Sequence, residues 1–165
     1  QSVMISILKA DSSHYNGITE IYNEAIQKTT ATFDTNIKTV SEMQDLIQSH
    51  TDKYPIMVAM HNNSIAGWAS ISPWSDRCAY SDTAENSVYV LEEFKSQGIG
   101  KILLHSIISI ARENGVHTII ARITQGNPVS VHLHTSCGFL PIGDMKEVGR
   151  KFGKLLDVGL YQIIL

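Results

Sequence analysis

The spacing of apolar residues changes several times along the chain, and each change marks an element. Ile5 to Leu8 reads as a short strand. Asp11, Ser12 or Ser13 then supplies a capping oxygen. Ile18, Ile21, Tyr22, Ala25 and Ile26 recur at helical spacing, predicting a helix to about Lys28. The polar, β-branched stretch from Thr29 to Thr35, around Phe33, reads as a loop. Ser41 is expected to cap a second helix with Met43, Leu46 and Ile47 turned inward, ending before Pro55. Ile56 to Met60 and Ile65 to Ser72 are strand-like and joined by His61-Asn62-Asn63-Ser64, a hairpin turn. A loop with Pro73, Trp74, Arg77 and Tyr80 follows, then a strand from about Glu85 to Leu91. After Gly98-Ile99-Gly100 comes the strongest helical pattern. Ile99, Leu103, Ile107 and Ile110 form one row, with Lys101, His105, Ser109 and Arg112 opposite, and Gly115 ends it.

Val116 to Ile123 reads as a strand, Pro128 to Cys137 as a short helix, Phe139 to Glu147 and Leu155 to Leu165 as strands. The order β-α-α-β-β-β-α-β-α-β-β mixes hairpins with a crossover helix. It predicts an α/β fold: a mixed, mostly antiparallel sheet with helices on both faces. No linker or repeat divides the sequence, so residues 4–165 are expected to form a single domain, with residues 1–3 a remnant of expression cloning.

Composition narrows the function. With 43% hydrophobic and 18% charged residues, the 165-residue chain resembles an ordinary globular protein. A net charge of −3 offers no basic face for nucleic acid. No apolar run approaches the roughly 20 residues of a membrane helix, and no signal peptide is read at its start. The expectation is a cytoplasmic protein with no nucleic-acid or membrane partner. Cys78 and Cys137 are read as free thiols. His132 and His134, two apart and without a ligand partner at suitable spacing, are not read as a metal site.

The chemistry-bearing segment is Val88-Tyr89-Val90-Leu91, then Lys95-Ser96-Gln97-Gly98-Ile99-Gly100-Lys101, then the long helix. A strand opening through a glycine turn onto a helix N-terminus leaves backbone N–H groups free at a positive dipole end, which suits phosphate oxygens. The glycines are expected to let the backbone approach a pyrophosphate. A dinucleotide fingerprint would need glycine where Leu103 stands, and a nucleotide-hydrolysing phosphate loop would need Ser or Thr where Ile102 stands.

Lys95-Ser96-Gln97-Gly98-Ile99-Gly100 resembles the acetyl-CoA pyrophosphate motif of the GNAT superfamily, Arg/Gln-x-x-Gly-x-Gly/Ala. Asn127-Pro128-Val129-Ser130-Val131-His132-Leu133-His134-Thr135-Ser136-Cys137-Gly138-Phe139 resembles that superfamily's second signature. There an Asn opens a helix, an acid–base or aromatic residue stands seven positions on, and a Gly-aromatic pair closes it. Glu85-Asn86-Ser87-Val88-Tyr89-Val90 is similar to a segment of the phosphinothricin and methionine sulfone N-acetyltransferases. Ile21-Tyr22-Asn23, Thr32-Phe33, Tyr54-Pro55, Pro73-Trp74 and Asp157-Val158-Gly159 carry the likeness along nearly the whole chain.

The resemblance implies a GNAT fold, acetyl-CoA as cosubstrate with no metal, a small amino-acid acceptor such as L-phosphinothricin, methionine sulfoximine or methionine sulfone, and a homodimer. It implies Glu85 as base and His134 near the coenzyme sulfur as a catalytic residue. It also implies that Val88, Tyr89, Val90, Lys95, Ser96, Gln97, Gly98, Ile99, Gly100, Lys101, Asn127 and Ser130 hold the coenzyme. Lys95 departs from the motif, keeping the charge of arginine without its fork. His132 is expected to face elsewhere. An acceptor carboxylate calls for a cation, for which Arg77 is the candidate, with Tyr80 beside it and Phe33, Trp68 and Trp74 as pocket walls. Cys137, at the end of an amphipathic helix, reads as packing, so direct transfer in a ternary complex is expected. The competing readings are an acetyltransferase for polyamines, aminoglycosides or protein N-termini, and a non-catalytic acyl-CoA sensor.

Overall fold

The computed structural model describes residues 4–165; Gln1, Ser2 and Val3, read above as a cloning remnant, lie outside the described residues. Seven strands and four helices follow the order expected from the sequence. They are β1 (Ile5–Lys9), α1 (Tyr15–Lys28), α2 (Val40–Gln48), β2 (Ile56–His61), β3 (Ser64–Pro73), β4 (Thr83–Val90), α3 (Ile99–Glu113), β5 (Thr118–Thr124), α4 (Pro128–Ser136), β6 (Leu140–Lys151) and β7 (Lys154–Ile164). They build one sheet in the order β1-β2-β3-β4-β5-β7-β6. Every neighbouring pair is antiparallel except β4 and β5, which α3 joins as a crossover.

Each face of the sheet has its own core. The row predicted for α3 is buried at Ile99, Leu103 and Ile107, and packs with Leu104, Ile108 and Ala111 on Ala69, Ile71, Ala84, Ile119, Ala121 and Ile123. On the other face, Ile18, Ile21, Tyr22 and Ile26 of α1 and Met43 and Ile47 of α2 cover Ile56, Val58 and Trp68. Alternation along β4 therefore sends Ala84, Asn86 and Val88 toward α3, and Glu85, Ser87 and Tyr89 toward α1.

Two details of α2 differ from expectation. Its cap is Thr39 rather than Ser41. Thr39 Oγ1 accepts the Glu42 N–H at 3.1 Å while the Glu42 carboxylate reaches back, a capping box that outcompetes a lone serine. Leu46 is exposed, because so short a helix turns only one narrow stripe to the core. Beyond Lys28 the loop predicted around Phe33 is held from far along the chain. The ammonium of Lys151, at the end of β6, is buried and donates to the carbonyls of Thr29 and Thr32 at 2.7 and 2.8 Å.

Candidate active site

The sheet opens where its one parallel pair parts. The β4–β5 register runs only through Thr83↔Thr118, Ala84↔Ile119 and Glu85↔Ile120. Beyond it β4 continues against β3 and β5 against β7. The edge of β4 from Asn86 to Val90 is thus left with backbone N–H and C=O groups that water or a bound amide chain must satisfy. A cavity of about 520 Å³ occupies this opening. It is lined from one face of the sheet by Asn86, Val88, Val90 and the start of α3, and from the other by Ile21, Ala25, Ser87 and Tyr89.

At one end of the cavity the turn before α3 presents the free amides of the helix's first turn. Gly98 has φ +80°, a left-handed conformation that favours glycine, and provides no side-chain cap. A Cβ on Gly98 would meet nothing, so the requirement there is the backbone angle. Gly100 serves differently: its Cβ would lie 3.3 Å from Leu133 and 3.7 Å from Val90, so its absence lets α4 close on α3. Lys95, the motif's departure, has its ammonium 2.8 Å from Glu92.

α4 is fixed by Asn127, whose Oδ1 accepts the Ser130 N–H at 3.2 Å, with Pro128 in the first turn. One turn on, His134 is buried and packs edge-on against Phe139 at 5.0 Å. Its hydrogen bonds define its tautomer. Nδ1 lies 2.8 Å from the Ser130 carbonyl, which only accepts, so Nδ1 carries the proton. Nε2 then accepts from the Asn86 amide at 3.1 Å. This leaves Asn86 Oδ1 buried and without a partner among the described residues, on a side chain that lines the cavity.

Burial holds the His134 pKa below its ordinary value, whereas an unfolded histidine takes up a proton near 6.5. The stability that neutral His134 contributes is complete above that pH and is lost as the pH falls below it, because the unfolded chain then binds the extra proton. Melting of the wild type between pH 7.5 and 5.5 should therefore fall more steeply than that of His134→Phe; parallel curves would remove the neutral ring.

Glu85, the last paired residue of β4, stands where the strands part, on the α1 face. Its Oε1 lies 3.3 Å from Nε of Arg122, whose guanidinium sits 4.7 Å over the Trp74 ring. Burial raises the Glu85 pKa, and the attraction of Arg122 offsets part of the rise. Behind it Tyr89 packs with Trp68 and Tyr22 in an aromatic cluster whose ring centroids are 4.8 to 5.8 Å apart.

Of the residues expected to hold a coenzyme, Val88, Tyr89, Val90, Lys95, Ser96, Gly98, Ile99, Gly100, Lys101, Asn127 and Ser130 line this cavity; Gln97 does not. His132, expected to face elsewhere, does line it. Of the expected acceptor residues, Trp74 meets the cavity through its stack on Arg122, and the others do not line it. Arg77 and Tyr80 lie on an exposed turn, Phe33 rests against the backbone of Gly149, and Trp68 is core. Arg122 lines the cavity in their place. Its one signal in the sequence was an arginine interrupting the apolar strand Ile119-Ile120-Ala121-Arg122-Ile123.

The profile of the acetyltransferase (GNAT) family matches residues 18–139. The chain belongs to the GNAT acetyltransferases. It is 34% identical to the L-amino acid N-acyltransferase MnaT of Escherichia coli over 98% of this chain and 94% of that one. It is 35% identical to the L-methionine sulfoximine/L-methionine sulfone acetyltransferase of Pseudomonas aeruginosa over 97% and 94%. Among solved structures, a phosphinothricin acetyltransferase from Sinorhizobium meliloti in complex with acetyl-CoA superposes with a TM-score of 0.92. That pair is 32% identical, over 98% of this chain and 88% of that one.

The acetyltransferase fold and its coenzyme fit the residues present. The free edge at Val88 and Val90 matches an amide-bearing pantetheine arm, and the amides at Gly98–Lys101 match a diphosphate. Acetyl-CoA supplies an activated acyl carbon and a thiolate leaving group. No group of His, Cys, Asp and Glu among the described residues is arranged to hold a metal ion, and no helix among them is long and apolar enough to cross a membrane.

Proposed function

We propose that residues 4–165 act as one acetyltransferase domain that acetylates the α-amino group of a small amino acid or analogue, of the methionine sulfone, methionine sulfoximine and phosphinothricin class. The observation that carries this reading is the position of Glu85. It stands at the closed end of the strand opening, just outside the cavity lining and 3.3 Å from Arg122, which does line it, beyond the end of an extended arm running from Gly98 along Val90 and Val88. Glu85 takes the ammonium proton, directly or through water, freeing the nitrogen lone pair for attack. Burial raises its pKa, the direction that makes a carboxylate a better base.

His134 acts as a positioning residue. As a neutral ring with its proton committed to Ser130, it accepts from the Asn86 amide and so fixes a side chain that lines the cavity. Transfer is direct. The Cys137 sulfur sits at the end of α4, 3.8 Å from His105 and outside the cavity lining, and burial pushes its thiol pKa up. The protein works in the cytoplasm, where acetyl-CoA is available and the unpaired Cys78 and Cys137 are compatible with a reducing environment. It functions as a homodimer. Leu140, Ile142, Val148, Phe152 and Leu155 are exposed on the edge hairpin β6–β7, which supports an interface there.

The test is acetyl-CoA-dependent thiol release against methionine sulfone, methionine sulfoximine, L-phosphinothricin, a polyamine, an aminoglycoside and a short peptide, with products identified by mass spectrometry. Saturable N-acetylation confined to the amino-acid analogues is expected, and light scattering of the same sample should give twice the chain mass. Turnover of the polyamine or peptide instead would overturn the acceptor class. Coenzyme binding without any turnover would favour a sensor.

A further inference from the structure

The candidate cation for the acceptor's carboxylate, Arg77, is exposed and does not line the cavity, which turns attention to the cations that do. Among the described residues three permanently cationic side chains line the cavity: Lys95, Lys101 and Arg122. Lys95 and Lys101 flank the turn at the diphosphate end. Lys151 is spent on the carbonyls of Thr29 and Thr32. Arg122 alone stands where the strands part. It lies two residues beyond Ile120, the partner of Glu85, and so on the same face of the sheet.

Its present contacts leave it half used. Only Nε meets Glu85, at 3.3 Å, and the other guanidinium nitrogens make no hydrogen bond among the described residues. The side chain is 50% exposed, against 26% for Glu85. Trp74 stacks on the guanidinium face and sets its plane. A guanidinium so held presents its free edge as a fork, the geometry that takes a carboxylate through two parallel hydrogen bonds. In an α-amino acid the amine and carboxylate share one carbon. A carboxylate docked on Arg122 therefore delivers the nitrogen beside the other carboxylate touching that same guanidinium, Glu85.

Building on the amino-acid reading above, we infer that Arg122 is the acceptor-carboxylate receptor and also a latch on Glu85. The incoming carboxylate takes the free edge of the guanidinium, shares its charge and so weakens its hold on Glu85, which turns toward the amine. The site is then armed by a substrate that carries both groups, and an amine lacking the carboxylate finds its base still held. Arg122 is thus the residue that sets specificity, and Trp74 positions it.

The experiment compares methionine sulfone with 3-(methylsulfonyl)propan-1-amine, the same molecule without its carboxylate, in wild type, Arg122→Gln and Arg122→Lys. Wild type should prefer the amino acid. Arg122→Gln should lose about 100-fold in kcat/KM on the amino acid, mainly through KM, as expected for removing a charge-assisted pair of hydrogen bonds. On the carboxylate-free amine its kcat should instead rise several-fold, because the latch is gone. Arg122→Lys, with charge but no fork, should fall between. Calorimetric binding of acetyl-CoA checks that each variant is folded.

Retention of the amino-acid preference in Arg122→Gln, or an equal loss on both acceptors, would overturn the receptor. A fall in kcat on the carboxylate-free amine would overturn the latch. A wild type that prefers the carboxylate-free amine, or acetylates neither, would overturn the amino-acid reading itself, and the inference with it.

Discussion

Glu85→Gln is expected to lose about 10²- to 10⁴-fold in turnover, the usual contribution of a positioned general base. Its acetyl-CoA affinity should stay within a factor of about three. The two effects separate because the coenzyme surfaces at Gly98–Lys101 and along the free edge of β4 are backbone, whereas Glu85 contributes a side chain beyond their end. The carboxylate points to the α1 face with Ser87 and Tyr89, whereas Asn86 and Val88 turn to the α3 face and the free edge of the strand lies between. Glutamine keeps the shape of the side chain beside Arg122, and Trp74 still lies over the guanidinium, so the loop carrying Trp74 should hold. What disappears is the basicity. Single-turnover kinetics on the acetyl-CoA complex would show it in the chemical step, with calorimetry reporting the coenzyme. Turnover within about threefold of wild type would remove Glu85 as the base.

The second large effect should come from Gly67, behind the coenzyme strand. Gly67 pairs with Val90, and a Cβ placed on it would lie 2.7 Å from the carbonyl oxygen of Tyr89 and 3.2 Å from Leu103. The first of those neighbours is backbone, so relief requires moving β4 itself. Gly67→Ala should therefore destabilise by about 2–3 kcal/mol, within the range for overpacked cores. For a domain of this size that is roughly 5–10 °C in melting temperature. Acetyl-CoA should also bind about tenfold more weakly, since the displaced strand carries the open edge. Unchanged melting and affinity would mean that β3 and β4 part more easily than their register suggests.

Much of this architecture was legible in the chain, for reasons specific to each element. The α3 pattern was unambiguous because Ile99, Leu103 and Ile107 recur every fourth residue along one face, and its glycine turn is local chemistry. The site's coenzyme half is built from two contiguous segments, so motif and geometry coincide there. The acceptor half is not contiguous. The point at which β4 and β5 stop pairing is fixed by how strands diverge in space, and no residue announces it. Arg77 looked suitable as a cation in the loop after Trp74, yet its turn is exposed to solvent. Arg122 sits 37 residues from Glu85 in a strand that otherwise reads as core. Phe33 was an attractive aromatic in a loop; its ring in fact rests on Gly149, a contact made across the whole fold. Leu46 failed for a simpler reason, the narrow buried stripe of a nine-residue helix.

The bond from Lys151 to the loop at Thr29 and Thr32 also bears on how the molecule comes into being. Every element that forms the coenzyme half, from β4 to α4, precedes residue 140. The loop that walls the other half is synthesised much earlier, but its anchor lies in the β6–β7 hairpin that follows them all, alongside the antiparallel partner of β5. A domain folds as a unit. The loop at Thr29–Thr32, though made early, therefore waits for Lys151 before anything holds it. Both halves of the site thus come to depend on the same late hairpin, one through the pairing of β5 and the other through a single buried ammonium.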